Sequence, residues 1–574
     1  MIAMLRKTPT LSFGARVVLL ALALAALLLP FGGPGSLDRA EPYFMDAARA
    51  MVEQGDWLVP HYRGQPFFDK PILGYWLIAL CFRLFGFSAE AARIGPALFA
   101  VLTLLVTIGL GVLVAGRRAG LFAGLALATS APFVNFGRTA MADMPMVFCS
   151  TSAITLAVAA WTFPERRAAI LVALGTVLGL GFAAKGPIAV LLPGLAILAL
   201  AWHKRRERWP LPRGPLLLAG LSFALLAFGW FLAIYLRLGS EPLRYFFLQE
   251  NLQRFAGATY DVERSSLYYF AIYLSQGLPW SLLLPVALIS ILRQPRGGAP
   301  ATNARWIPLA LLLMVLPLSL SRGKVDYYLL PLYPLACVLL GVFFASQWDR
   351  LAVHWIRTVC ALVACAPFAA TAVLGRPLPA AWLPPVSWRV ATACACVACA
   401  LVLAAAAWRP SPARVAGALA LPAGLIFALF VYVWAPAFHA SQPNVAIVRD
   451  VEHERAAQPN VRLALCEDPT RVHRDLIFET PLDTLETCQL WSLVASREPF
   501  LILLRQHEWL ALNDARRLRV VRGYLYLPAS TLSAESLLRA EAASQLVLVA
   551  NYPTDDPAAL RVNRRWRRAA DAAR

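Results

Sequence analysis

Three lysines at the ends of apolar segments are the first residues whose type and position indicate chemistry. The chain has only five lysines against 48 arginines, yet Lys70, Lys185 and Lys324 each fall where a loop meets an apolar segment, on one predicted side of a membrane. An ammonium is a compact charge that suits a single phosphate oxygen, whereas a guanidinium offers a planar fork. These lysines predict a phosphate site. The alternative is that they extend from helix ends to water without a function.

Acidic side chains at the same face are the expected complement. Glu41 lies in EPYFMDAARAM after the first apolar segment, and Asp143 lies near Pro145 at the start of the fourth. A carboxylate at the mouth of a helix bundle is costly unless it is solvated or paired. We expect Glu41 and Asp143 to be catalytic carboxylates, because a carboxylate can accept a proton or hold a cationic group. For Asp143 the alternative is an N-terminal helix cap.

Further donors and cations extend the predicted phosphate site. Arg254 lies in the aromatic loop YFFLQENLQRFAGATYDVERSSLYYF, Tyr328 closely follows Lys324, and Arg63 lies in the first long loop. Such groups stabilise the charge that grows on a leaving phosphate. His61 lacks a spaced His or Asp partner, so we predict no cofactor. A metal site assembled from distant loops stays open.

The elements that must position these residues are membrane helices. The chain has 574 residues, of which 59% are hydrophobic and only 15% charged, whereas a soluble chain carries about 25% charged residues. This composition excludes a cytosolic enzyme, a disordered protein and a nucleic-acid partner. Thirteen apolar segments approach the roughly 20 residues that cross a bilayer, namely 15–34, 94–114, 119–138, 145–163, 168–184, 186–203, 214–237, 270–292, 306–321, 327–347, 354–374, 387–407 and 413–435.

Basic clusters predict the orientation, because short loops rich in Lys and Arg face the cytoplasm. The clusters fall in alternate loops, at Arg6/Lys7, Arg117/Arg118, Arg166/Arg167, Lys204–Arg208, Arg293/Arg296, Arg350 and Arg409/Arg414. The N-terminus is then cytoplasmic, as an uncleaved first helix, and the segment 71–87 lies on the outer surface of the membrane. We expect a transmembrane domain at 1–440, with an external loop at 35–93 that carries interfacial helices.

The last part of the chain has a different pattern. Short apolar runs such as VRLALC, PFLILL and QLVLVANY predict a small α/β domain at 441–574. The orientation places this domain outside, in the periplasm of a Gram-negative cell. There Cys466 and Cys488 could pair, or stay as two thiols.

Several motifs in order resemble one superfamily. The stretch AEPYFMDAARAMVEQGDWLVPHYRGQPFFDKPILGYWL, followed by AKGP, NLQRF, GLPW and SRGKVDYYLLPLYP, is similar to the C-type membrane glycosyltransferases that use polyprenyl-phosphate sugars. Within that superfamily the pattern resembles the bacterial aminoarabinose transferases of lipid A. The resemblance implies about 13 transmembrane helices in the inner membrane and transfer of 4-amino-4-deoxy-L-arabinose from undecaprenyl phosphate to lipid A phosphates, which gives polymyxin resistance.

The first-loop motif departs from the pattern of that family, which has two adjacent acids. Ala40 precedes Glu41 here, and the role of the nearby Asp38 stays open. Sibling families act on proteins or other glycolipids, so a polyprenyl-phosphate-sugar transferase with another acceptor is one alternative. A lipid transporter or flippase is the non-enzyme alternative. Such a protein should carry polar residues inside its spans or two half-repeats, whereas the charges here cluster on one face.

Overall fold

The computed structural model describes residues 11–28, 40–62, 64–207, 212–257, 264–293, 303–346, 348–374, 386–429, 432, 444–465, 484–485, 498–505, 519–526 and 544–551. The chain divides into two compact units. The larger comprises Met1–Phe31, Ala47–Pro379 and Pro384–Trp434, and the smaller comprises Gly32–Asp46, Ala380–Leu383 and Ala435–Arg574.

Helices make up almost all of the described part of the larger unit. They are α1 (Phe13–Leu28), α2 (Glu41–Gln54, whose first turns belong to the smaller unit), α3 (Leu73–Phe85), α4 (Ala89–Ala115), α5 (Arg117–Ala128), α6 (Ala131–Gly137), α7 (Asp143–Thr162), α8 (Arg167–Lys185), α9 (Ile188–His203), α10 (Arg213–Leu238), α11 (Glu241–Arg244), α12 (Arg254–Ala256), α13 (Tyr268–Gln276), α14 (Leu284–Arg293), α15 (Trp306–Leu320), α16 (Tyr333–Ala345), α17 (Arg350–Leu374), α18 (Val386–Trp408) and α19 (Pro412–Leu429). A π-helix (Tyr245–Gln253) joins α11 to α12, and a 3₁₀ segment (Asp326–Leu332) precedes α16.

The described helices confirm an integral membrane protein. Six of them are long and apolar enough to cross a bilayer, or eight if each of two bent pairs is one span. Each of the thirteen predicted segments coincides with a helix or with a bent pair of helices. Several of these helices are shorter than the roughly 20 residues that a crossing needs, so the count of thirteen stays a prediction.

Glycines allow pairs of these helices to approach closely. A Cβ on Gly341 of α16 would overlap the carbonyl oxygen of Ala119 in α5, and a Cβ on Gly175 of α8 would overlap that of Ala219 in α10. Small residues are typical of helix contacts in membranes, where lipid tails are as apolar as the side chains and close packing supplies the attraction. The bundle therefore depends on these positions having no side chain.

The segment between α2 and α4 is folded against the bundle. A two-stranded hairpin, β1 (His61–Tyr62) and β2 (Gln65–Pro66), precedes α3. Trp230 of α10 donates from its ring nitrogen to the carbonyl oxygen of Leu58 at 2.9 Å, and Arg237 pairs with Asp56 at 2.9 Å. Helix α3 has only 13 residues, so it is too short to cross by itself. Its position at the membrane surface stays a prediction.

A five-stranded sheet forms the described core of the smaller unit. Its order is β4 (Thr484–Leu485), β3 (Arg462–Leu465), β5 (Phe500–Arg505), β7 (Ser544–Ala550) and β6 (Arg519–Tyr526). The β3 strand pairs parallel with β4 and β5, whereas β7 pairs antiparallel with β5 and β6. Helix α20 (Asn444–Ala457) packs Ile447 and Val451 against buried leucines of the sheet. This unit thus combines strands and a helix around its own apolar core.

Candidate active site

A pocket of about 380 Å³ in the larger unit brings together three of the predicted cations, Lys70, Lys185 and Arg254. Its polar side chains come from the loop before α3, the end of α8, the π-helix with α12, and the 3₁₀ segment. They are Asp69, Lys70, Lys185, Glu250, Asn251, Arg254, Ser321 and Tyr328. The remaining lining residues are almost all apolar, so one pocket offers both charge and an apolar wall.

Two cations and two carboxyl groups form the centre of the polar lining. The Lys70 ammonium lies 2.8 Å from a carboxylate oxygen of Asp69 and 3.6 Å from one of Glu250. Arg254 Nη1 donates to the same Glu250 oxygen at 3.3 Å. Asp69 and Glu250 lie close enough for each to shift the pKa of the other, and a hydrogen bond between two carboxyl groups requires a proton on one of them. Glu250 is therefore the residue that links both cations to Asp69.

The π-helix explains why Glu250 reaches this position. Its wider turn aligns residues five apart, so the Tyr245 hydroxyl donates to Glu250 at 3.3 Å and the Asn251 amide donates to the carbonyl oxygen of Phe246 at 2.7 Å. Arg254, the first residue of α12, lies four residues after Glu250 and donates to its carboxylate. Single π-helical turns are rare and recur at functional sites.

The two carboxyl groups have opposite pKa shifts. Burial raises the pKa of Glu250, and the hydrogen bond and charge of Asp69 raise it further, to about 7, against the lowering effect of Lys70 and Arg254. Burial also acts to raise the pKa of Asp69, but the charge of Lys70 and the hydrogen bond from Glu250 outweigh it and hold that pKa well below its usual range. Of the two carboxyl groups, Glu250 therefore keeps its proton to the higher pH.

A second ion pair lies deeper in the same region. Lys185, the last residue of α8, bonds to Asp143, the first residue of α7, and both side chains are almost fully buried. The ammonium also lies over the rings of Tyr327 and Tyr328, at 4.9 and 5.3 Å from their centroids. Asp143 precedes the helix interior but bonds to a side chain from another helix, so its contact is more than a local cap.

The predicted site residues have different surroundings. Lys70, Lys185, Arg254 and Tyr328 line the pocket. Lys324 does not line it, since its buried ammonium donates to the carbonyl oxygens of Ser321 and Arg264.

Two further predicted residues, Glu41 and Arg63, lie outside the described part of the larger unit. Glu41 is the first residue of α2, in the smaller unit, with a fully buried side chain. Arg63 lies outside the described residues, as do Asp38, Cys466 and Cys488.

Neither Asp69 nor Glu250 is among the site residues predicted from the sequence, although Glu250 lies in the same aromatic loop as Arg254. Glu250 lies one helical turn before Arg254, so spacing offered a signal for that pair, whereas Asp69 directly precedes Lys70, a spacing that indicates no contact. That signal is not specific, because acid–base neighbours of this kind are frequent on exposed helices. Only the fold shows that the two acids meet each other.

The apolar wall of the pocket suits a lipid chain. It is formed by aliphatic side chains of α9 and α15 and by aromatic rings around the π-helix, namely Ile188, Leu191, Phe246, Phe247, Leu252, Phe255, Pro317 and Leu318. Within the described residues, no three His, Cys, Asp or Glu side chains are grouped to hold a metal ion. The arrangement can therefore receive an amphiphile with an anionic head.

Similar proteins are named for the transfer of a sugar from a lipid phosphate. The family described as dolichyl-phosphate-mannose-protein mannosyltransferase matches residues 69–231. A relative from Pseudomonas aeruginosa, named undecaprenyl phosphate-alpha-4-amino-4-deoxy-L-arabinose arabinosyl transferase, is 33% identical over 322 residues, which cover 54% of this chain and 56% of the relative. A relative of the same name from Edwardsiella ictaluri is 33% identical over 325 residues, 55% of this chain and 56% of the relative. The matches thus span little more than half the length of these relatives.

One solved structure shares nearly the whole fold. ArnT from Cupriavidus metallidurans, bound to undecaprenyl phosphate, superposes with a TM-score of 0.71 at 21% identity, covering 94% of this chain and 98% of that one. The resemblance predicted from the ordered motifs is therefore confirmed, and so is the helical C-type fold. With the apolar helices, these likenesses indicate an integral inner-membrane protein.

Proposed function

We propose that this chain is a glycosyltransferase that moves 4-amino-4-deoxy-L-arabinose from undecaprenyl phosphate to phosphate groups of lipid A. The single observation that carries the proposal is the pocket in which Lys70 and Arg254 face an apolar wall. A polyprenyl-phosphate sugar has the matching parts, a phosphodiester head and a long hydrocarbon chain. The relatives that match about half of this chain are named for that donor and that transfer.

The first step of the proposed mechanism is binding of the donor phosphate by cationic side chains. When the bond from the sugar to the phosphate oxygen breaks, negative charge grows on that oxygen. Fixed cations in a site with little water stabilise this charge more effectively than water does. We assign this role to Lys70 and Arg254, with Tyr328 as a hydroxyl donor, and retain Arg63, Lys185 and Lys324 as candidates.

The acceptor determines whether a base is needed. A lipid phosphate is already ionised near neutral pH and can attack the anomeric carbon directly, with inversion. A protein hydroxyl would need a carboxylate to take its proton. We propose that Glu41 and Asp143 are the catalytic carboxylates, and that with a lipid A acceptor they hold the ammonium of the sugar or orient the attack.

The proposed topology has thirteen spans with the N-terminus in the cytoplasm. Residues 1–440 form the transmembrane domain, the loop 35–93 lies outside with its interfacial helices, and 441–574 form a periplasmic α/β domain. The alternation of basic loops supports this orientation. Donor and acceptor lipids would then meet at the outer face of the inner membrane, where lipid A is exposed for modification.

A mass spectrum of lipid A tests the function directly. The host should lack its own aminoarabinose transferase but still make the lipid-linked donor, and should express the wild-type chain, Lys70→Ala or Lys204→Ala. We expect a mass increment of one aminopentose with the wild type and its loss with Lys70→Ala. Lys204→Ala is the matched control, because Lys204 pairs with Glu207 away from the pocket, so its increment should persist.

Two outcomes would contradict parts of the proposal. No increment from wild-type protein that is folded in the membrane would exclude this sugar and acceptor. The matched family is described by protein mannosylation, so the next assay would then be transfer to protein or to another glycolipid. An undiminished increment with Lys70→Ala would remove Lys70 from the phosphate site.

A further inference from the structure

Glu250 occupies the position that a donor phosphate needs. One of its oxygens contacts both Lys70, at 3.6 Å, and Arg254, at 3.3 Å, and its side chain is almost completely buried. An anionic head that binds these two cations competes with this oxygen for their positive charge. Two anions cannot share the same pair of cations in a site of low dielectric without a large repulsion, because charge interactions are stronger there than in water. Glu250 and the phosphate are therefore competitors.

The net charge around the pocket determines whether a phosphate can bind beside these residues. Three cations, Lys70, Lys185 and Arg254, face three acids, Asp69, Asp143 and Glu250. With all six ionised the site is neutral and has no net charge to offer an anion. One added proton leaves a single positive charge, which matches the single negative charge of a phosphodiester.

We propose that the donor phosphate displaces Glu250 from Lys70 and Arg254, and that Glu250 takes up a proton from water as the phosphate binds. This inference rests on the proposed function and adds a proton to its binding step. The neutral carboxyl group then donates its hydrogen bond to Asp69 and no longer repels the phosphate. Its pKa of about 7 makes this uptake accessible near neutral pH.

Neighbouring groups are poorer acceptors of this proton than Glu250. Asp69 stays ionised because Lys70 holds its pKa well below the usual range, and Asp143 is occupied by Lys185. Burial raises the pKa of Tyr75, so its hydroxyl stays neutral throughout this range. The titratable and charged side chains that face Glu250 from the surrounding elements are Asp69, Lys70, Tyr75, Lys185, Tyr245, Arg254 and Tyr328.

Calorimetry on the full-length chain in detergent tests the proposal. The probe is the methyl ester of undecaprenyl phosphate, a phosphodiester that keeps one negative charge throughout. Coupling to a group with a pKa of about 7 predicts that the Kd rises about tenfold between about pH 6 and about pH 8. Titrations at about pH 8 in buffers with different heats of protonation should show uptake of roughly one proton per probe bound.

Variants separate Glu250 from other groups. Glu250→Gln should bind equally at both pH values, as tightly as the wild type does at the lower one, without proton uptake. Glu241→Gln is the matched control, because Glu241 is an exposed glutamate of the adjacent helix α11, and it should behave as the wild type. Asp69→Asn removes the charge that raises the pKa of Glu250, so the pH dependence should move to lower pH.

The possible results distinguish a failure of the inference on Glu250 from a failure of the proposed function. If Glu250→Gln keeps the pH dependence and proton uptake of the wild type, the inference is wrong. Binding by the wild type with no pH dependence would also overturn it, yet would leave the proposed function standing. A wild-type chain that does not bind the probe at either pH contradicts the proposed function itself. If Glu250→Gln does not fold, an unmoved pH dependence in Asp69→Asn still overturns the inference.

Discussion

The ion pair between Asp143 and Lys185 allows a structural role and a catalytic role to be measured separately. Only 3% of the Asp143 side chain and 6% of the Lys185 side chain are exposed. Removing one partner leaves a lone buried charge, which costs about 3–5 kcal/mol, a large part of a typical stability of about 5–15 kcal/mol. We therefore expect Asp143→Asn or Lys185→Met alone to destabilise the protein by about that amount.

Replacing both partners should restore most of the loss. The double variant has no unpaired charge, and it loses mainly the attraction of Lys185 to the rings of Tyr327 and Tyr328, about 0.5–2 kcal/mol. The free energy of unfolding, from SDS titration in mixed micelles, should therefore show a favourable coupling of several kcal/mol in the double-mutant cycle. If the two single losses simply add, the pair does not stabilise the bundle and this reasoning is wrong.

The same double variant tests catalysis. A folded double variant that transfers no sugar would show that the reaction needs Asp143, as the predicted carboxylate, or Lys185, as a phosphate-binding candidate. A folded double variant with wild-type transfer would show that Asp143 serves only to neutralise Lys185. Stability and transfer must be measured on the same preparation, because a single variant that is merely unfolded would imitate a catalytic loss.

Two further predictions concern positions away from the pocket. Gly341→Ala should destabilise the contact between α5 and α16 by about 1–3 kcal/mol, measured by the same SDS titration, whereas Gly417→Ala, with open space around it, should not. Burial acts to raise the pKa of Asp56, but Arg237 and two backbone N–H groups outweigh it and lower that pKa. The ionised carboxylate of Asp56 thus stabilises the fold at pH values above its ordinary pKa, and this contribution is lost as the pH falls through the lowered pKa. Arg237→Ala should move this acid loss to higher pH at a cost below about 1 kcal/mol, because Arg237 is half-exposed.

Helix positions could be predicted because apolar length is a local property. Every predicted apolar segment coincides with a helix or a bent pair, including the short segments for which a crossing is not established. The bends could not be predicted in the same way. The chain turns by 67° between α5 and α6 and by 111° between α13 and the segment that contains α14. Pro132 lies at the start of α6, but a proline in a membrane helix does not by itself specify the size or direction of a bend.

The sequence predicted which types of residue form the candidate site, but only in part which positions contribute them. Lys70 and Lys185 were identified because lysine is rare in this chain, and Arg254 because it lies in an aromatic loop. The fold brings all three to one pocket. Lys324 fulfilled the same sequence criterion but bonds to backbone carbonyl groups. Asp69 and Glu250 were not among the predicted residues, because the sequence does not show that the loop before α3 and the π-helix come together at one site.

The two types of ion pair in the pocket indicate different roles for its cations. Lys185 and Asp143 bond directly, are almost fully buried and are enclosed by two tyrosine rings. Lys70 and Arg254 are more exposed, at 18% and 17%, and lie 3.6 and 3.3 Å from Glu250, longer than the 2.7–2.9 Å of a tight charged hydrogen bond. A phosphate can displace Glu250 from these looser contacts at much lower cost than it can separate Lys185 from Asp143. Direct phosphate contact is therefore expected from Lys70 and Arg254, while Lys185 holds α7, α8 and the tyrosines in place around them.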